Sequence, residues 1–210
     1  MKRFKAVLFD LDGVVFDTEP QYTQFWGQQC KEFRSDIPGL EFMIKGQTLV
    51  QIFEKYFNDE YFCHREVIVK RLEEFEKTMT FDYVDGFENF ISQLKEEGIK
   101  TAVVTSSNCA KMNFVYQQRQ EFKGYFDAIL TSEDFEYSKP HPDCYEKASK
   151  RLGVEVDECV VLEDSFNGLK SGKAAKMCVV GITTTNSRES IEPLADFVID
   201  NYNGFSLELL

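Results

Sequence analysis

The sequence predicts a doubly wound α/β domain: a parallel sheet with helices on both faces and a helical insertion near its start. Three observations carry that expectation. Short apolar runs rich in Val and Ile recur along the chain, and they are continuous rather than alternating, the mark of strands covered on both faces. Amphipathic helical patterns lie between them, and strand alternating with helix implies a parallel sheet. Only the stretch from about Thr18 to Thr80 breaks the rhythm, with long helical patterns and no convincing strand.

The first run, Lys5 to Asp10, ends in a carboxylate. The insertion follows, with apolar sets Phe25, Trp26 and Phe33; Val50, Phe53 and Phe57; and Val67, Ile68, Leu72 and Phe75. A compact helical bundle gives each such stripe somewhere to bury. The expected division is a core of residues 1–17 and 81–210 and a helical subdomain of residues 18–80. Its two connections, near Val14 to Asp17 and Phe81 to Asp85, could serve as a hinge. Beyond it, a helix beginning near Gly86 carries Phe87, Phe90, Ile91 and Leu94 on one face and stops at Gly98. The run Lys100 to Ser106 is the second strand. Asn108 to Glu121 reads as a helix with Met112, Val115 and Tyr116 inward, and Ala128 to Ser132 as the third strand. Pro142 opens a helix through Tyr145, Ala148 and Leu152, which Gly153 ends. Glu158 to Asp164 is the fourth strand. Ser165 caps a helix to Ala175, and Met177 to Ile182 and Phe197 to Asp200 complete the sheet.

Composition bounds the function. With 210 residues, 43% of them hydrophobic and 20 Phe, the chain can fill a core without staples. Six cysteines show no CxxC pair and only two histidines accompany them, so reduced thiols and a cytoplasmic setting are expected; Cys159 and Cys178 fall in or beside apolar runs, as small buried hydrophobes do. The basic start is followed by an apolar run that stops at Asp10, too short for a signal-peptide core. No run approaches the roughly 20 apolar residues of a membrane span. Thirty-six acidic against twenty-four basic residues, a net charge of -12, and no basic cluster argue against a nucleic-acid partner. Small molecules remain as ligands, and anionic ones need local cations or a metal.

The polar residues at the strand ends suggest what those molecules meet. Asp10 and Asp12 stand two apart before Gly13, so an extended backbone would turn both to one face. They could hold a metal, or divide nucleophilic and proton-transfer duties. Ser106 ends the second run, Lys139 lies just beyond the third, and Glu163-Asp164 ends the fourth. Ligands of open parallel sheets bind beyond the carboxyl ends of the strands, so one crevice gathers all of them. The plainer alternatives are turn chemistry for the acids, a helix cap for Ser106 and a solvated Lys139. His64 reads as a surface residue, His141 as part of a structural loop, and Trp26 as insertion core or seam.

These motifs, in this order, resemble those of the haloacid dehalogenase-like superfamily, in particular its phosphatase and β-phosphoglucomutase-like branch. Asp10-Leu-Asp-Gly-Val-Val-Phe-Asp-Thr18 is similar to the first motif, Val104-Thr-Ser106 to the second, Lys139-Pro140 to the third and Leu162-Glu-Asp-Ser165 to the fourth. The resemblance covers nearly the whole chain. It implies a Rossmann-like core with a small helical cap, a Mg2+ cofactor and a small phosphorylated metabolite, such as a sugar phosphate, as substrate. It implies that Asp10 attacks phosphorus, that Asp12 protonates the leaving group and then activates water, and that Ser106 binds the phosphoryl group with the backbone of Ser107 or Asn108. Lys139 would balance the charge; Asp10, the carbonyl of Asp12, Asp164 and, directly or through water, Glu163 would hold the metal. The cap segment Lys45-Gly46-Gln47 resembles a substrate-specificity loop, against a plain helix-helix loop as the alternative. Sugar-phosphate mutases of this branch carry a histidine and an arginine where this chain has Tyr22 and Leu49, which favours hydrolysis over the mutase alternative. Asp12 argues against dehalogenase and phosphonatase chemistry; a noncatalytic binding or interaction protein is the remaining alternative. A monomer is the default expectation.

Overall fold

The computed structural model describes residues 4–209. Each apolar run becomes a strand: β1 (Ala6–Phe9), β2 (Lys100–Val104), β3 (Ala128–Leu130), β4 (Cys159–Glu163), β5 (Cys178–Ile182) and β6 (Phe197–Ile199). They form one parallel sheet in the order β3-β2-β1-β4-β5-β6. The order reverses at β1, which pairs with β2 on one side and β4 on the other. Phe9 is opposite both Val103 and Leu162. The next residue along each strand is therefore Asp10, Val104 or Glu163, all at the carboxyl edge where the strand order reverses.

Alternation along β1 sends Val7 and Phe9 to one face and Ala6 and Leu8 to the other. The first face packs under α5 (Phe87–Glu96) and α6 (Cys109–Gln118). There Phe9 meets Phe87, Phe90 and Phe126 edge-on, with ring centroids 5.8, 6.2 and 5.8 Å away. Such pairs add about 0.5–1.5 kcal/mol each beyond the area they bury. The second face is covered by α7 (Asp143–Leu152), through Tyr145, Ala148 and Leu152, and by α8 (Phe166–Ala174), through Leu169. A short α9 (Arg188–Ile191) precedes β6. Pro142 caps α7, Gly153 ends it in a left-handed conformation, and the Ser165 hydroxyl accepts the Gly168 N–H at the start of α8. Among the described residues no cysteine forms a disulfide; Cys159 is buried and Cys178 half-buried. No helix there is long and apolar enough to cross a membrane.

Two expectations shift. The α6 helix ends at Gln118, three residues before Glu121, because Arg119 leaves the helical path and turns its guanidinium onto the Phe81 carbonyl and Asp82. Its N-cap is Asn108, whose side chain accepts the Lys111 N–H at 2.9 Å, so Ser106 does not cap it.

Between β1 and α5 run α1 (Glu19–Phe33), α2 (Leu40–Met43), α3 (Leu49–Tyr56) and α4 (Arg65–Glu76), with no strand among them. They enclose a core of their own, with Phe25, Trp26, Leu40, Ile52, Phe53, Phe57 and Ile68. Val50 and Val67, expected to point inward, are 64% and 42% exposed. Each stands one residue from the inward stripe, which runs through Leu49 and Phe53 in α3 to Phe57 just after it, and through Ile68 and Leu72 in α4. The connections to the sheet pair with each other: Asp17 N–H donates to the Asp82 carbonyl at 2.8 Å and Val84 N–H to the Val15 carbonyl at 3.0 Å. His64 stacks on Phe33 in this cap, and the His141 ring accepts the Asp143 N–H, a structural contact in the loop before α7.

Candidate active site

At the carboxyl edge of β1, Asp10 is fixed by its N–H, which donates to the Leu162 carbonyl at 3.0 Å. The Lys139 ammonium reaches in from the loop after β3 and donates to Asp10 Oδ1 at 2.5 Å, Glu163 Oε1 at 2.7 Å and the Val104 carbonyl at 3.0 Å. It thereby spans the ends of β1, β2 and β4. The Tyr145 hydroxyl, from α7, also donates to Glu163 Oε1 at 2.7 Å. Glu163 Oε2 accepts from Asp164 N, Ser165 N and the Ser165 hydroxyl. The acids at the ends of β1 and β4 are thus held by groups from the loop after β3, from α7 and from the turn after β4.

Asp164 follows β4, is buried, and accepts the Thr185 hydroxyl on Oδ2, while Asn186 donates to its carbonyl. Gly13, with φ +76°, lets the loop after β1 pass against that carboxylate: a Cβ there would lie 2.0 Å from Asp164 Oδ2. One carboxylate oxygen each from Asp10, Glu163 and Asp164 lies within 4.8 Å of the others. Burial pushes the Asp10 carboxyl up to about 7 against the pull of Lys139. Burial likewise raises Asp164 well above the usual carboxylate range, with Glu19, Glu163 and Asp10 adding to the effect. Burial alone would lower the Lys139 ammonium, but Asp10 and Glu163 outweigh it and hold it above its ordinary value. Three crowded carboxylates around one lysine leave negative charge to be balanced, and an oxygen-only donor set suits a hard divalent cation.

Asp12 points into a second arrangement. Its carboxylate accepts from Thr18 Oγ1 at 2.6 Å, Ser107 Oγ at 3.2 Å, and Lys111 Nζ at 2.7 and 2.5 Å. The structure therefore brings Asp10, Lys139, Glu163 and Asp164 together, with Asp12 joined to Ser107 nearby. Ser106 and Asn108 line the same cavity, of about 510 Å³, but the Asn108 side chain is engaged as the α6 cap. Thr105, buried at the end of β2 with its hydroxyl accepting the Ser107 N–H, lines it as well. Lys111, Thr105 and Tyr145 escape the sequence reading. The helix pattern through Tyr145 marks an inward face but not a hydroxyl aimed at Glu163, and no spacing rule points from Lys111 to Asp12.

The cap forms the opposite wall. Lys45, Gly46 and Gln47 line the cavity with Tyr22, Trp26 and Leu49. Lys45 pairs with Glu19 at 3.6 Å, and Gln47 donates back to the Met43 carbonyl. Asn167, at the start of α8, donates to the Gly46 carbonyl at 3.1 Å and to Gln51 Oε1 at 3.3 Å; Gln51 in turn donates to the Lys139 carbonyl at 3.2 Å. Gly46 has φ +67°, and a Cβ there would lie 2.5 Å from the Ser165 Cβ. A Gly46→Ala protein should consequently lift this loop from α8. The expected result is a KM raised several-fold with a melting temperature close to the parent's, since backbone strain of this kind costs about 1–3 kcal/mol and is relieved by the loop moving. An unchanged KM would show that the loop does not meet the substrate.

A family model described as haloacid dehalogenase-like hydrolase matches residues 4–176. Among curated proteins, the chain is 29% identical over 189 residues to a "Probable pseudouridine-5'-phosphatase" of Saccharomyces cerevisiae, covering 81% of this chain and 78% of that one. It is 28% identical over 225 residues to the β-phosphoglucomutase of Bacillus subtilis, covering 98% and 93%. The crystal structure of a HAD hydrolase, family IA, variant 3, from Entamoeba histolytica superposes with a TM-score of 0.82 at 26% identity, over 97% of this chain and 96% of that one.

Proposed function

The chain belongs to the haloacid dehalogenase-like hydrolases, and on that premise we propose that it hydrolyses small phosphate monoesters with Asp10 as nucleophile and Asp12 as acid and base. The observation that carries this reading is the buried Lys139 bridge from Asp10 to Glu163, with Asp164 beside it and Asp12 facing the same cavity. In this reading residues 18–80 cap a core of residues 1–17 and 81–210.

Phosphoryl transfer needs in-line positioning and charge stabilisation more than a strong base. With Oδ1 held by Lys139, Asp10 offers Oδ2 to phosphorus; the bond from phosphorus to the ester oxygen breaks, and Asp12 delivers a proton to that oxygen. Asp12 then takes a proton from water as the water attacks the aspartyl phosphate, releasing inorganic phosphate and restoring Asp10. Of the expected backbone donors, the Ser107 N–H is taken by the Thr105 hydroxyl, so Ser106, the backbone N–H of Asn108 and the Thr105 hydroxyl are the phosphoryl-oxygen donors at the end of β2, and Lys139 offsets the charge that accumulates. Asp10, Asp164 and the Asp12 carbonyl would hold Mg2+, with Glu163 behind them fixing Lys139. The ion would supply charge neutralisation between the nucleophile and the incoming phosphate. Lys45, Gly46 and Gln47 contact the leaving group from the cap.

Hydrolysis is favoured over phosphate migration within a sugar because Leu49, on the cap side of the cavity, offers no clamp for a second phosphate where the mutases have an arginine, and Tyr22 stands where they have the histidine that controls the acid, while the cap cation Lys45 is paired with Glu19. A panel of phosphorylated metabolites with Mg2+, scored for inorganic phosphate and for isomerised product, separates the two. Phosphate release that disappears with EDTA and returns with added Mg2+ is expected. Isomerisation with little phosphate release would overturn the hydrolase reading, and metal-independent turnover would overturn the cofactor.

A further inference from the structure

We propose that Lys111 is a positioning residue that clamps the Asp12 carboxylate in the orientation from which it takes a proton from the attacking water, and that the cap completes this clamp from above. The proposal rests on the phosphatase reading. Lys111 lies in the first turn of α6, with its side chain only 3% exposed. Buried lysines are rare unless paired, and this one spends its ammonium on both Asp12 oxygens, at 2.7 and 2.5 Å. Thr18 holds Oδ1 and Ser107 holds Oδ2, so donors close on the carboxylate from three directions. A free aspartate rotates about two side-chain bonds; bridging both oxygens fixes each torsion.

The cap supplies the roof. The Tyr22 ring stands over the Lys111 ammonium, 4.8 Å from centroid to Nζ, and the Tyr22 hydroxyl donates to Glu76 Oε1 at 3.2 Å. Core residues Lys111 and Ser107 therefore grip Asp12 from below, while Tyr22 of α1, tied to Glu76 of α4, covers the Lys111 ammonium. An ion pair strengthens as water is removed, so the clamp is tightest with the cap in place.

The test uses Lys111→Met, close in length but without charge, and Lys111→Arg, which keeps the charge. 4-Nitrophenyl phosphate expels a leaving group that needs no proton, so its first step does not call on Asp12, whereas hydrolysis of the aspartyl phosphate does. With Mg2+ present, the Met variant should release a first equivalent of nitrophenolate within about threefold of the parent rate and then turn over about 100-fold more slowly, the scale of a lost general base. Its crystal structure should show Asp12 swung to another rotamer. The Arg variant should keep the rotamer and turn over within about tenfold of the parent. Equal loss of both steps, undiminished steady-state turnover, or an unmoved Asp12 in the Met variant would overturn the clamp. Should the Met variant not fold, the Arg variant decides: an Asp12 held in place without turnover, or turnover with Asp12 released, overturns it equally. If the parent releases no nitrophenolate that Asp10→Asn abolishes, the phosphatase reading fails, and the Asp12 rotamers still decide the clamp.

Discussion

An Asp10→Asn protein is expected to lose turnover by at least about four orders of magnitude while folding as well as its parent. The carboxylate at the end of β1 has its backbone fixed by Leu162 and one oxygen fixed by Lys139, and no other described carboxylate combines that fixity with a place beside the hydroxyls at the end of β2. An amide has no anionic oxygen to bond to phosphorus, and losing a nucleophile typically removes most of an enzyme's rate enhancement. The fold should tolerate the change because Asn keeps the shape and lightens a crowded set of buried carboxylates. Its melting temperature should equal or exceed the parent's. Acid-quenched protein incubated with radiolabelled substrate should carry label in the parent and none in the variant. Turnover within tenfold of the parent would remove Asp10 from the nucleophilic role.

Lys139→Met should fail in a different way, losing stability together with activity. Its ammonium is the hydrogen-bonded cation shared by Asp10 and Glu163, and Glu163 is fully buried. Removing one partner from a buried ion pair costs about 3–5 kcal/mol, a large share of the roughly 5–15 kcal/mol of a typical domain. Chemical denaturation should show a loss of that size. Adding Asp10→Asn or Glu163→Gln to Lys139→Met should recover part of it, because fewer unpaired carboxylates remain. Turnover should fall by about 100- to 1000-fold through lost charge stabilisation alone. A single variant that loses less than about 1 kcal/mol would mean that Lys139 does not hold these acids together.

The contrast between these residues and others shows what can be read from sequence. Asp10, Lys139, Glu163 and Asp164 were legible because each follows a continuous apolar run or the loop just after one, and a parallel sheet gathers such ends at one edge. The alternation of strand and helix was legible for the same reason, since burial on both faces leaves a compositional trace. Position within a turn was not. The chain leaves β2 at Val104, so the buried hydroxyl at its end is that of Thr105, while Ser106, one residue on, is exposed and the Ser107 hydroxyl turns to Asp12. A single peptide decides which way each side chain faces, and run length does not resolve it. Lys111 was illegible because its meeting with Asp12 depends on the phase of α6 against β1, 99 residues away. The Gln51 and Asn167 contacts likewise exist only once cap and core are docked. Val50 and Val67 were misplaced because each sits in the first turn of its helix beside another apolar residue, and the pattern does not say which of two adjacent apolar residues faces inward.

The central position of β1 has a consequence for how the molecule breathes. Its backbone is bonded to neighbours on both sides and its side chains are wholly enclosed, whereas β3 and β6 each have one open flank. Fraying that starts from either open flank must peel away an intervening strand before it disturbs Asp10. The Asp10 carboxylate thus rides on the last part of the sheet to come loose, and small openings elsewhere leave it in register.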